Sequence, residues 1–284
     1  MTESPGPTIR RLQLGMELRR LREAAGKSQE DAAKWLGIRA ASVSRIETGK
    51  QRASLAYLRL LLQLYSVGSP HVEALERLLR EASQRGWWAA YGSTVPKWFE
   101  DYAGMETAAA EQWAYEAEYV PGLLQTPGYI RAIRLSVKPD ASEDELRRAV
   151  DLRQARQARL VAADPLTLRV VINEAVIRRL VGGPEVMGEQ LRHVAELSEQ
   201  ENITVQVLPF DIGAHPGMLG TFALLKFDDQ PLDKVFIEID GAALYLEKPD
   251  EIQRYTATYQ RCATLALDTA ASTTLIADAA RHLE

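Results

Sequence analysis

Cysteine is almost missing from this 284-residue chain, and the single Cys262 excludes both an internal disulfide and a cysteine-based metal cluster. Its neighbours follow an apolar helical pattern, which suits a small buried side chain better than a reactive thiol. Histidine is also sparse. His71, His193, His215 and His282 are scattered, no pair has zinc-ligand spacing, and no metal is expected. No apolar run approaches the roughly 18 residues that span a bilayer. The first seven residues are polar, with Pro and Gly, and lack the apolar segment of a leader. The chain is therefore expected in the cytoplasm, without a membrane partner. A Gly-x-Ser-x-Gly elbow is absent, as is a phosphate loop ending in Gly-Lys-Ser or Gly-Lys-Thr. We therefore expect no catalytic residues, no cofactor and no enzymatic activity. The most site-like loop is 209–220. Asp211 and His215 lie there among glycines, and they would form an acid/base pair only if they met in space.

The composition, 46% hydrophobic and 26% charged, is that of a globular protein, and the length suits about two domains. Charge is unevenly spread. Residues 1–60 carry 12 Lys+Arg against 6 Asp+Glu, a local +6, whereas the whole chain is −5 and residues 61–284 therefore carry −11. A basic head on an acidic body is the asymmetry expected of a phosphate-binding head.

Residues 28–49 are the most informative stretch. Ser28 and Asp31 have capping-box spacing at the start of one short helix. Ala32 and Ala33 are small where two helices must approach closely. Gly37 can end the first helix with a left-handed backbone. Ile38 staples the turn to the core. Val43 and Ile46 put one apolar stripe of a second helix inward, leaving Arg39, Ala40, Ala41, Ser42, Ser44 and Arg45 around the opposite side. Such a pair can set its second helix in the major groove of DNA. An upstream helix is read over 14–25 and a downstream one over 54–64, with another starting at Ser69-Pro70. The head is thus an all-α domain of four to five helices.

Residues 12–66 resemble the phage-repressor-like (Xre-type) helix-turn-helix regulators. Leu18, Leu21, Gln29, Ala33, Gly37, Val43, Ser44, Ile46, Glu47 and Gly49 carry the resemblance. It implies that Gln29 contacts a phosphate and that Arg39, Ala40, Ala41, Ser44 and Arg45 read bases, with Ser42 and Lys50 completing the DNA-binding set. An alanine methyl can meet a thymine methyl, and Arg45 can pair bidentately with guanine.

Residues 1–11 read as a flexible tail, 12–85 as the helix-turn-helix domain, 86–104 as an aromatic junction and 105–284 as a C-terminal sensor or partner-binding domain. Trp87, Trp88, Tyr91, Trp98, Phe99 and Tyr102 in the junction suit a ligand cage, a stacking platform or, most simply, a hydrophobic seam between head and body. Beyond it, a helix is read over 105–119. Another over 142–163 bears Arg147, Arg148, Arg153, Arg156 and Arg159, as a phosphate face or, more simply, a solvated or salt-bridged one interleaved with Glu145 and Asp151. Strands are read over 166–172, 203–208, 221–227, 234–239 and 242–246. Helices are read over 174–181, 184–200 and 249–270. The body is thus mixed α+β with a small sheet of four to five strands.

The body resembles the C-terminal domain of the actinobacterial WhiJ-like regulators. The matching stretches are Trp113-Ala-Tyr-Glu116, Val120-Pro-Gly-Leu-Leu-Gln-Thr126, Arg153-Gln154, Arg159-Leu160, Gln190-Leu191, Val205-Gln-Val-Leu-Pro209 and Gly220-Thr-Phe222. That resemblance implies a transcriptional regulator acting on double-stranded DNA. It also implies a small protein partner encoded nearby. A homodimer is expected because a two-fold protein matches a pseudo-palindromic site. The alternative is an antitoxin-like protein that sequesters a partner and binds DNA mainly to control its own synthesis.

Overall fold

Leucines at helical spacing build the first of two compact units into which the chain divides after Ala89, in a computed structural model that describes residues 7–228, 230–239 and 241–283. This unit consists of α1 (Pro7–Ala24), α2 (Gln29–Leu36), α3 (Ala40–Glu47), α4 (Leu55–Leu64) and α5 (Ser69–Ala82). Leu14, Leu18, Ala33, Val43, Ile46, Leu58, Leu61 and Leu75 share one core. The first helix starts earlier than the expected residue 14. Pro7 is tolerated in a first turn, and Thr8 and Ile9 are buried, so part of the expected 1–11 tail is helix. Residues 1–6 lie outside the described residues.

The second unit is built on a six-stranded sheet of order β3-β2-β1-β4-β5-β6. Its strands are β1 (Glu111–Glu116), β2 (Thr167–Asn173), β3 (Ile203–Leu208), β4 (Phe222–Lys226), β5 (Lys234–Ile239) and β6 (Ala242–Leu246). β1, β2 and β3 pair in parallel, and the remaining pairings are antiparallel. The helices are α6 (Lys97–Ala108), α7 (Pro127–Val137), α8 (Glu143–Gln157), α9 (Glu174–Arg178), α10 (Pro184–Leu197), α11 (Pro249–Leu265) and α12 (Thr269–Arg281). Tyr259 and Cys262 of α11 pack on Tyr115, Val171, Phe222, Leu224 and Val235 from one sheet face. Cys262 is completely buried there. Among the described residues no helix is long and apolar enough to cross a membrane.

Four expectations are corrected. The helix read over 105–119 does not exist as such: α6 stops at Ala108 and the rest becomes β1, at the centre of the sheet. Ala, Glu and Gln favour helix locally, but pairing with β2 on one side and β4 on the other overrides that preference. The sheet consequently has six strands, not four or five. The helix read over 249–270 ends sooner, at Leu265, and a further helix that was not expected follows it, with Asp268 capping its start by accepting the Ala271 N–H. The arginines read over 142–163 form a salt-bridged face only in part. Arg147 and Arg148 pair with Asp144 at the surface, while Arg156 turns inward. Arg159 donates to the Thr107 and Ala109 carbonyls at the end of α6.

The aromatic stretch is not one cluster. Trp98, Phe99 and Tyr102 lie on α6 within the second unit, where Tyr102 stacks on Phe236 at 4.1 Å. Arg156 sits over Phe99 at 4.9 Å and makes two 2.7 Å hydrogen bonds to Glu106, both side chains being buried. Removing one partner of a buried pair strands the other charge. Arg156→Leu should therefore lower stability by about 3–5 kcal/mol. The double change Arg156→Leu with Glu106→Leu should recover most of the loss in chemical denaturation.

Candidate nucleic-acid interface

The turn between α2 and α3 is fixed from both ends. Ser28 accepts the Asp31 N–H at 3.1 Å, and Asp31 accepts the Ser28 N–H at 2.9 Å, which anchors the start of α2. Gly37 ends it at φ 67, a left-handed conformation costly for residues with a Cβ. The chain then re-enters helix at Ala40, with Arg39 as the cap residue and no side chain capping the exposed N-terminus of α3.

Val43 and Ile46 are buried on the inner side of α3. Each contributes roughly 1.5–3 kcal/mol of apolar burial. On the outer side Arg39, Ala41, Arg45 and Lys50 are exposed, while Ala40, Ser42 and Ser44 are half-buried. Ala40 packs partly on the core. Ala41 and Arg45, one turn apart, form the row that points away from it. Ser42 accepts from Arg45 at 3.0 Å, and Gln51 accepts from its Nε at 3.2 Å, so the guanidinium is braced along the helix.

The cations around α3 differ from several others in this unit. Arg19 and Arg20 of α1 and Arg59 of α4 are ion-paired with Glu23, Glu17 and Glu76. Among the described residues, no carboxylate lies within ion-pair distance of Arg39, Arg45, Lys50 or Arg52. This is a surface of uncompensated positive charge flanking a short, small-faced helix.

The C-terminal end of α3 is held by a polar cluster that sequence reading missed. Glu47, 4% exposed, accepts from Arg22 Nε at 2.7 Å and Nη2 at 3.1 Å. Gln29 donates to the same carboxylate at 2.9 Å, and Arg22 also donates to the Lys27 carbonyl. The hydrogen bond to Glu47 raises the Arg22 pKa further. Burial pushes the neighbouring Tyr65 phenol up. Gln29, expected at a phosphate, thus turns its amide inward to Glu47. Gly15 is a second missed residue. A Cβ there would lie 2.5 Å from the Glu47 carbonyl oxygen, so α1 and α3 meet at a distance only glycine allows. A glycine in mid-helix was the available signal.

Residues 13–75 match a family described as a helix-turn-helix domain, and residues 99–278 match one described as a domain of unknown function, DUF5753. The second match covers more than half of the chain. The protein belongs to the DUF5753 family. In this member the matched domain is the α+β unit, and the helix-turn-helix match makes the first unit a DNA-binding module with α3 as its second helix. No curated protein and no solved structure is significantly similar to the chain.

The loop holding Asp211 and His215 does not join them. Among the described residues no hydrogen bond or ion pair links the two. His215 instead lies 5.8 Å from the Tyr115 ring, and burial lowers its pKa. The described residues include no cluster of three or more His, Cys, Asp or Glu that could hold a metal.

Glu47→Ala leaves Arg22 buried without its partner and should cost about 3–5 kcal/mol. It should also weaken DNA binding uniformly across sequences, because α3 loses its anchor. Thermal denaturation and filter binding to several duplexes check the two effects.

Proposed function

We propose that this DUF5753 member is a sequence-specific transcriptional regulator of the phage-repressor, WhiJ-like kind. The proposal covers a homodimer whose second unit dimerises or receives a regulatory partner or ligand, with no catalytic role of its own. The observation that carries it is the set of unpaired cations at Arg39, Arg45, Lys50 and Arg52 around the outward row of α3. Phosphates are the complement of such a surface, and the small Ala41 lets the helix backbone approach base edges. Ordered by expected role, Arg39, Lys50 and Arg52 position the head on phosphates, whereas Ala41, Ser44 and Arg45 face bases. Gln29 supports α3 through Glu47, and its second amide N–H is left to donate to a phosphate.

A second reading, a partner-sequestering protein whose DNA binding is mainly autoregulatory, is favoured by one surface. Phe210, Met218 and Leu219 are 58%, 69% and 98% exposed on the loop between β3 and β4. Gly217 fixes that loop against Tyr115, where a Cβ would lie 2.6 Å from the ring. Exposed apolar side chains on a fixed loop suit a protein surface.

Selection of bound genomic fragments by the purified protein, with and without the product of the adjacent gene, tests both readings. A single enriched pseudo-palindrome supports the regulator, and no enrichment over random fragments overturns it. On the selected site Arg45→Ala should cost about 1–3 kcal/mol and relax preference at one base position in each half-site. Lys50→Ala should weaken all sequences alike and lower the salt dependence of binding by roughly one ion.

A further inference from the structure

The six-stranded sheet ends in β3 on one side and β6 on the other, and the fold treats the two edges differently. At β3 the outer edge is closed by the segment that joins α11 to α12. Val207 donates its backbone N–H to the Ser272 hydroxyl at 2.9 Å and accepts from the Leu267 N–H at 2.9 Å. The Gln206 amide donates to the Ala263 and Leu267 carbonyls. At β6, among the described residues, no hydrogen bond reaches the backbone of 242–246 from anywhere but β5.

β6 is nevertheless held in place. Tyr245 packs on Phe236, with ring centroids 5.5 Å apart, and donates its hydroxyl to the Trp98 carbonyl at 3.1 Å. On the other face Leu246 packs against the core under α11. Leu244 shares that face, because side chains alternate along a strand, yet it is 48% exposed. The strand carries no charge and no proline, and its pairing with β5 runs without a bulge. It thus lacks the features that usually guard an edge, and an open edge is a template for another strand.

The register shows which groups are open. Ile239 and Ala242 close the hairpin of β5 and β6 across a two-residue link, so they form a hydrogen-bonded pair. Bonded pairs alternate with unbonded ones, so Leu244 and Leu246 also turn their backbone to β5. Ala243 and Tyr245 turn theirs to the open edge.

We propose that two copies of this chain pair through their β6 strands, antiparallel about a two-fold axis at Leu244, and so join their sheets into one. The strand, Ala-Ala-Leu-Tyr-Leu, is its own antiparallel complement. In this register Ala243 of one copy faces Tyr245 of the other, and each such pair exchanges two backbone hydrogen bonds. Ala242 faces Leu246. A small side chain therefore meets a large one everywhere except on the axis, where the two Leu244 side chains meet. Glu247, just past the strand, is paired with Lys234 at 3.4 Å, so the seam brings no bare like charges together. The closed β3 edge fixes the symmetry. With no second open edge to accept β6, copies close into a dimer instead of running on as a filament. The inference deepens the regulator reading by naming the dimer surface. It rests on that reading only for the use of the two-fold at a pseudo-palindromic operator. A five-residue seam is at the small end of specific interfaces, so without DNA the dissociation constant should be on the order of micromolar.

Sedimentation velocity of the full-length protein without DNA, from well below to well above the micromolar range, should show monomer giving way to dimer. Leu244→Lys sets two like charges across the axis and should weaken the dimer at least tenfold. Its thermal midpoint should change little, because Leu244 is half exposed. Leu244→Cys gives a second readout. Directly opposed residues of an unbonded pair have Cα atoms about 4.5 Å apart, within disulfide range. Mild oxidation should therefore link copies of Leu244→Cys on a non-reducing gel. It should leave Ala242→Cys unlinked, because its two copies lie on opposite sides of the axis. Cys262 is completely buried and does not compete. A monomer at every concentration, a dimer unweakened in Leu244→Lys, or equal cross-linking of the two cysteine variants overturns the proposal. None of these measurements uses DNA, so the two readings fail separately. Failure of the seam beside intact operator selection removes the seam alone. A seam that passes without operator selection removes the regulator reading alone.

Discussion

The buried Arg22–Glu47 pair is the constraint on which the DNA-binding unit depends. α3 is only eight residues long, too short to hold its shape from backbone hydrogen bonds alone. Its position comes from what grips it. Val43 and Ile46 anchor the inner face, while Glu47 ties the far end to α1 and, through Gln29, to the first residue of α2. Gly15 lets α1 come close enough for this to happen. One carboxylate thus sets the angle between α3 and the two helices that carry it. A shift there would move Arg45 as surely as a change in α3 itself.

The second unit repeats the device at another scale. Arg156 and Glu106 are buried together against Phe99 and tie α8 to α6 over one face of the sheet. Around them the Val120–Thr126 segment is fixed by amide side chains. Gln190 accepts the Thr126 N–H and donates to the Leu124 carbonyl, while Gln125 donates to the Val120 carbonyl. These bonds explain why Pro121-Gly122 leads into a well-determined turn.

Much of the architecture was legible because its signals are local. The capping box of Ser28, the left-handed Gly37 and the Val43–Ile46 stripe are set by residues within one or two turns, and each is found where the spacing places it. Five strands were readable as short apolar or β-branched runs bounded by turn residues. β1 was not, because Glu111, Gln112 and Ala114 favour helix and only the partners on either side make them a strand. The break at Ala266, just before Asp268, was missed for a related reason: the apolar pattern runs on across it, while the backbone turns extended there and Asp268 caps the next helix. Gln29 was read from resemblance as a phosphate contact. Its inward hydrogen bond depends on Glu47, 18 residues away.

Charge distribution and the helix-turn-helix spacing, which depend only on residue order, determined that this chain has a basic helical head and a mixed body. Which cations stay unpaired was a tertiary decision. Arg19, Arg20 and Arg59 found carboxylates, and Arg39, Arg45, Lys50 and Arg52 did not. A cavity in the second unit was likewise decided only in three dimensions. Gln112, Gln125, Glu116 and Glu238 are spread over more than a hundred residues and line one pocket because the sheet sets only β4 between β1 and β5. Burial there removes water from acceptors that no neighbouring side chain replaces, and that desolvation cannot be read from any one segment.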